Sequence, residues 1–255
     1  MLNLLFYVFC VIIDNNKKGV FLLATKLQKM KWDLYCFKER FLLIWGLKNG
    51  LIMPYDDELI EKLRTIYYGG IPASVLLLSN SMTNGNCYER ALLMSRAFLE
   101  DEGDVQLLYA AVDSLKLNPK FICNDPLYSD HCIVERVTKE GRHLIYDAST
   151  GFVYDKKLYW LMENPKVRKV NDKEVIRNFI QDEEYYHPED IENDKYAAPL
   201  ILSIIETTFG RPNEMYSTPS IELLQREIEY YKNRINYDAI VEEIDQDMRR
   251  LGLKR

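Results

Sequence analysis

Between residues 31 and 47 the apolar positions Leu34, Phe37, Phe41, Ile44 and Trp45 recur at helical spacing, and Asn49-Gly50 supplies a natural stop. A second helix is predicted from Asp56 or Asp57 to Tyr68, closed by Gly69-Gly70. A short apolar segment containing Pro72 follows, then a polar loop over 79–85. A third helix opens at Cys87, with Ala91, Met94 and Phe98 three or four residues apart.

The period then shortens. Residues 105–112 read as a strand, and "HCIVERV" (131–137) and "HLIYDAS" (143–149) read as two more, joined through Lys139-Glu140-Gly141 as a hairpin. A further short strand is predicted over 151–154. From 156 onward the pattern returns to helix, with segments near 172–182, 197–208 and 219–250. In the last of these Ile221, Leu224, Ile228, Tyr231 and Ile235 form an apolar stripe that falters at Tyr237-Asp238. Such a stripe docks on the chain's own core or forms a seam for a second copy. No internal repeat is present.

The chain has 255 residues, 47% hydrophobic and 28% charged, the profile of an ordinary globular protein. Its net charge of −6, with no Lys/Arg stripe, excludes a nucleic-acid footprint. The acid is concentrated in runs such as Gln181-Asp182-Glu183-Glu184, which read as a solvated face. Five cysteines (Cys10, Cys36, Cys87, Cys123 and Cys132) make an odd count without regular spacing, so a reducing, cytoplasmic setting fits better than a disulfide framework. Cys123, His131 and Cys132 lack a second ligand pair, so no metal site is expected. Neither a phosphate loop nor a nucleotide fingerprint occurs, and no cofactor is implied.

Three residues carry candidate chemistry. A thiol attacks carbonyls as thiolate, and both a helix N-terminus and a nearby imidazolium favour that form. Cys87 stands at a predicted helix start, where its backbone N–H would also be free to stabilise an oxyanion. Of the three histidines, His187 lies in an acidic, surface-like stretch. His131 opens a strand whose hairpin partner carries Asp147, so the acid can fix the tautomer and charge of the ring. His143 has no comparable acid across from it and reads as structural. Asn80, Asn84 and Asn86 are weaker candidates for oxyanion or substrate contacts, as is Tyr88, although Asn is also what turns select. The competing structural reading makes Cys87 a buried helix-start residue and His131–Asp147 a cross-strand contact.

Cysteine at a helix start, histidine on a strand 44 residues later and aspartate on the next strand, 16 residues further, resembles the transglutaminase-like superfamily of the papain-like cysteine-hydrolase group. The matching stretches are "GNCYERA", "DHCIVERV" and "HLIYDAST", within roughly 71–154. Tyr88 replaces the family's frequent Trp after the cysteine, Cys132 and Ile133 replace an aromatic after the histidine, and Asp147-Ala148-Ser149 replaces Asp-Pro-Thr. Cys87-Tyr88-Glu89 also echoes arylamine N-acetyltransferases, without their preceding Arg-Gly-Gly.

The resemblance implies an α+β fold: a papain/transglutaminase-like core, with the nucleophile helix packed on an antiparallel sheet, and helical N- and C-terminal additions. The expected division is an apolar leader (1–29), N-terminal helices (30–70), a catalytic core (71–170) and a C-terminal helical region (171–255). The expected activity is attack by Cys87 on an amide or thioester, with His131 as base and Asp147 orienting it. The substrate would be a protein or peptide. Hydrolysis is the simplest outcome; transfer to an amine or acyl acceptor and a catalytically silent peptide-binding module are the alternatives. No membrane span is expected, and self-association through 219–250 is a candidate.

The apolar run "MLNLLFYVFCVII" falls short of the roughly 20 residues a spanning helix needs and lacks the basic flank of a signal peptide. Lys17-Lys18-Gly19-Val20 can be encoded by AAA-AAA-GGA-GTN, a bacterial ribosome-binding sequence, so translation is expected to start at Leu23 or Met30. A short interfacial anchor is the alternative. Intact-mass measurement of the natively expressed protein decides: the expected mass omits residues before the downstream start, and a mass including Met1 contradicts it.

Overall fold

The computed structural model describes residues 17–68, 71–72, 87–117, 131–181, 185–186 and 221–254. Among these are eight helices: α1 (Lys17–Lys48), α2 (Asp57–Tyr68), α3 (Cys87–Ala97), α4 (Asp113–Leu117), α5 (Lys156–Glu163), α6 (Lys173–Gln181), α7 (Ile221–Lys232) and α8 (Tyr237–Arg250). The strands are β1 (Ile52–Pro54), β2 (Ile71–Pro72), β3 (Asp104–Ala111), β4 (His131–Val137), β5 (His143–Asp147), β6 (Phe152–Asp155), β7 (Lys166–Asn171) and β8 (Tyr185–Tyr186). Six of them form an antiparallel sheet in the order β1-β6-β5-β4-β3-β7, while β2 pairs with β8. The fold is α+β.

Local chemistry explains the boundaries. At the end of α1 the Leu51 N–H reaches the Gly46 carbonyl (2.9 Å) and the Gly50 N–H reaches that of Leu47 (3.4 Å), a Schellman-type stop at the predicted Asn49-Gly50. Asp56 caps α2, its Oδ1 accepting the Leu59 N–H at 2.8 Å. The β4–β5 hairpin turns through Lys139-Glu140-Gly141, with Gly141 at φ +74°. Asp155 caps α5 by accepting the Lys157 and Leu158 N–H groups, and Asn164 ends it in the left-handed region at φ 44°.

The sheet separates two cores, and strand alternation decides which residue enters which. Cys132, Val134, Leu144, Tyr146 and Val153 pack under α2, α3 and α6 with Leu63, Leu92, Met94 and Ile176. Ile133, Ile145, Phe152 and Tyr154 face the other way, onto α1, α5, α7 and α8 through Phe37, Leu42, Leu158, Leu224, Ile244 and Met248. Within α3 the buried Leu92, Leu93 and Met94 are worth about 1.5–3 kcal/mol each, so this helix is anchored independently of its first residue.

Two expectations are corrected. Residues 166–171, read as part of a helical region, form strand β7 against β3. The left-handed Asn164 followed by Pro165 breaks the helix there, and the alternation was hidden because every β7 residue except Asn171 is exposed. The segment 219–250 is two helices parted at 233–236, close to where the stripe falters. Leu224, Ile228, Tyr231 and Ile235 of that stripe pack within the chain, against the core that α1 shares. The helix expected at 197–208 lies outside the described residues. Helix α1 runs unbroken across 29–30, and β1 brings part of 30–70 into the sheet.

The turn joining α3 to β3 is held from several sides. Arg177 donates to the Leu99 carbonyl (3.1 Å), Lys173 to that of Asp101 (3.0 Å), and Arg136 pairs with the Asp101 carboxylate (3.0 Å). Gly103 completes it at φ +107°, where an added Cβ would lie 2.3 Å from the Val137 carbonyl oxygen. Gly103→Ala is therefore expected to destabilise the protein by about 2–4 kcal/mol, strain and overlap together. Urea unfolding checks this; a loss below 0.5 kcal/mol, on the order of an ordinary surface change, contradicts it.

Candidate active site

His131 is the first residue of β4 and Asp147 the last of β5. Because Val134 pairs with Tyr146, Asp147 stands level with Ile133, two positions along from His131 on the same face of the sheet. That diagonal is within reach of long side chains, and His131 Nε2 lies 2.9 Å from Asp147 Oδ2. Cys87, first residue of α3, lies close enough to the ring to favour its charged form. Helix α3 lies on one face of the sheet and His131 and Asp147 stand on the other, so Cys87, His131 and Asp147 come together at the sheet's end.

Asp147 is 4% exposed, and a bare carboxylate there would be driven to its neutral form. Three donors oppose this. Besides His131, the Tyr159 hydroxyl donates to Oδ2 (2.9 Å) and the Ser149 N–H to Oδ1 (2.9 Å). Burial raises the Asp147 pKa, but the His131 charge, its hydrogen bond and the two further donors outweigh burial and hold the group below its ordinary 3.8. For His131, burial again opposes the charge, yet the attraction and hydrogen bond of Asp147, with those of Cys87, carry the ring well above its ordinary 6.5. Tyr159 is itself pushed up by burial and by Asp147, which keeps its hydroxyl a donor.

The remaining candidates are placed as follows. Tyr88 is half-buried, its ring 5.6 Å from that of Tyr109, whose hydroxyl accepts from Asn171 Nδ2 (3.1 Å). Its side chain thus ties the start of α3 to β3 and β7. Asn80, Asn84, Asn86, His187 and Cys123 lie outside the described residues. The reading of His143 as lacking an acid is corrected: its Nδ1 is 2.7 Å from Glu135 Oε1, which also accepts from Lys156 at 2.7 Å. This pair sits at the turn end of the hairpin, where Val137 faces His143, away from Cys87.

Tyr159 and Ser149 escaped the reading from sequence. Ser149 could have been found, since a residue two positions after Asp is the usual donor to that carboxylate in a tight turn. Tyr159 carried no local signal, because only the docking of α5 brings it to Asp147. Among the described residues no group of His, Cys, Asp or Glu is arranged to hold a metal ion, and no helix is long and apolar enough to cross a membrane. No family model, curated protein or solved structure matches the chain.

The two shifts set a pH window. Asp147, depressed below 3.8, contributes stability above that value and loses it as pH falls through its folded pKa. His131, raised above 6.5, contributes fully below 6.5 and loses it as pH rises through its folded pKa. The stability difference between wild type and Asp147→Asn should therefore be largest between 3.8 and 6.5 and shrink on both sides. Urea unfolding across pH measures it. A difference that keeps growing above neutral pH contradicts the pairing.

Proposed function

We propose that this chain is a cysteine-nucleophile enzyme of transglutaminase-like type that cleaves an amide or thioester bond through a covalent acyl-enzyme. The observation that carries this reading is the His131 ring, held by Asp147 at Nε2 and with Cys87 near enough to favour its charge. A charged imidazole between a carboxylate and a thiol favours the thiolate. The helix-on-sheet placement of the three residues, at the ends of neighbouring strands, supports a papain/transglutaminase-like core as the finer description of the fold.

In the first half-reaction the Cys87 thiolate adds to the substrate carbonyl carbon, and the displaced electron pair moves onto oxygen. Backbone N–H groups at the start of α3 face this charge. The intermediate collapses, the bond to the leaving amine or thiol breaks, and the His131 imidazolium gives that group its proton. In the second half-reaction His131 takes a proton from water as the oxygen adds to the thioester carbon. Collapse releases a carboxylic acid and restores the cysteine–histidine pair. Asp147 moves no proton; it holds the ring and stabilises its charge. An amine in place of water gives a transglutaminase. The described cysteines Cys36, Cys87 and Cys132 form no disulfide, which suits a reducing, cytoplasmic setting.

Alkylation by dilute iodoacetamide at about pH 6, below the ordinary thiol range, with peptide mapping, tests the reading. Cys87 should label quickly in wild type and in His143→Ala, and at least about 100-fold more slowly in His131→Ala. Cys87→Ala should stay folded with its melting temperature within about 5 °C of wild type, since the side chain is only half-buried. Equal losses from both histidine variants, or a wild-type rate no faster than a free thiol, contradict the assignment.

A further inference from the structure

Strand β7 ends the six-stranded sheet on one side, pairing with β3 and, among the described residues, with no strand beyond it. An edge strand offers outward-facing backbone N–H and C=O groups to any chain that can lie along it. Every β7 residue except Asn171 is exposed, Val167 at 39% and Val170 at 49%. The two faces of the strand differ in kind. Ala110 and Leu108 of β3 pair with Val167 and Val170, and a register shift that skips Arg168 puts these two valines on one face. Ala111 and Tyr109 pair with Lys166 and Lys169, which stand on the other face. Neither lysine has a carboxylate partner among the described residues. Lys166 donates to Asn164 Oδ1 (3.0 Å), and Lys169 Nζ lies 5.4 Å from the centre of the Tyr109 ring. With Arg168 the strand carries three basic residues and no acid, in a chain of net charge −6.

Directly opposite residues in paired strands share a face. A strand added along β7 would meet lysines on one face and valines on the other, so alternating acidic and apolar residues match both. A second copy of the chain does not match, because antiparallel β7 strands would set lysine against lysine. Edge lysines repel a like-charged strand and attract an acidic one, and the exposed valines leave apolar area for that strand to cover. We propose that the outer edge of β7 is a docking site for an extended acidic segment of a partner protein, held by strand addition. Ala110 pairs with both His131 and Val167, so a segment lying on β7 runs to the end of the sheet where His131 stands. The docking site follows from the strand's own geometry and does not depend on the enzyme reading.

Peptide binding to the full chain at low salt tests it. The probe is a short capped peptide of alternating glutamate and valine, titrated to about 1 mM. It is compared with a lysine–valine counterpart, a peptide of the same composition with its glutamates grouped in one block, and a version N-methylated at every backbone amide. The alternating glutamate–valine peptide should bind and slow hydrogen exchange at the outward-facing β7 amides, while the other three bind at least about tenfold more weakly. The double variant Lys166→Glu, Lys169→Glu changes only exposed side chains, and should weaken the glutamate peptide about tenfold while the lysine–valine peptide gains. Absence of binding up to about 1 mM overturns the proposal, as does equal binding of the grouped or N-methylated peptide, which would reduce the effect to charge attraction alone. Outward-facing β7 amides that already exchange slowly without peptide overturn it as well; protection that grows with protein concentration would assign the edge to a second copy.

Discussion

A carboxylate sealed inside the protein, Asp147, sets the terms for everything around it. A buried charge left alone costs several kcal/mol, and removing one partner from a buried pair typically costs about 3–5 kcal/mol. The group stays ionised because three donors converge on it: a ring nitrogen, a phenol and a backbone amide. Each comes from a different piece of structure. The ring comes from the next strand, the amide from the turn after β5 and the phenol from helix α5. The charge of Asp147 in turn raises the His131 pKa, and a charged His131 is what a neighbouring thiol requires.

The fold can be understood as the means of delivering those donors. Helix α5 is fixed by polar links along its length. Lys156 at its start reaches Glu135, Tyr159 at its middle reaches Asp147, and Glu163 at its end accepts the Tyr35 hydroxyl of α1 at 2.6 Å. The Asp155 cap sets the helix's first turn, and Leu158 beside Tyr159 is fully buried. Rotating α5 would therefore break several contacts at once, and this rigidity holds the phenol on the carboxylate. The opposite core anchors α3 through Leu92, Leu93 and Met94, and its first residue, Cys87, rests half-buried at that core's edge.

How much of this was legible in the sequence depended on range. Elements closed by local chemistry were readable: the Asn49-Gly50 stop, the Asp56 cap and the hairpin through Gly141 appear where turn and cap residues predict them. The diagonal of His131 and Asp147 followed from strand spacing, because a period of two leaves little freedom. What needed tertiary contact was hidden. Strand β7 exposes both faces, so no alternation marks it. The same spacing applied to His143 would have found Glu135 on the equivalent diagonal, whereas Tyr159 became visible only once α5 was docked on the sheet.

The central claim is that the His131 ring is held charged between Asp147 and Cys87. The most direct measurement is the ring's nitrogen NMR titration in wild type and in Cys87→Ala. The account predicts that wild-type His131 remains protonated above its ordinary 6.5, and that removing the thiol moves its titration to lower pH, because one of the two groups favouring the charge is gone. A wild-type ring that titrates at or below 6.5, or one whose titration is unmoved by Cys87→Ala, contradicts it.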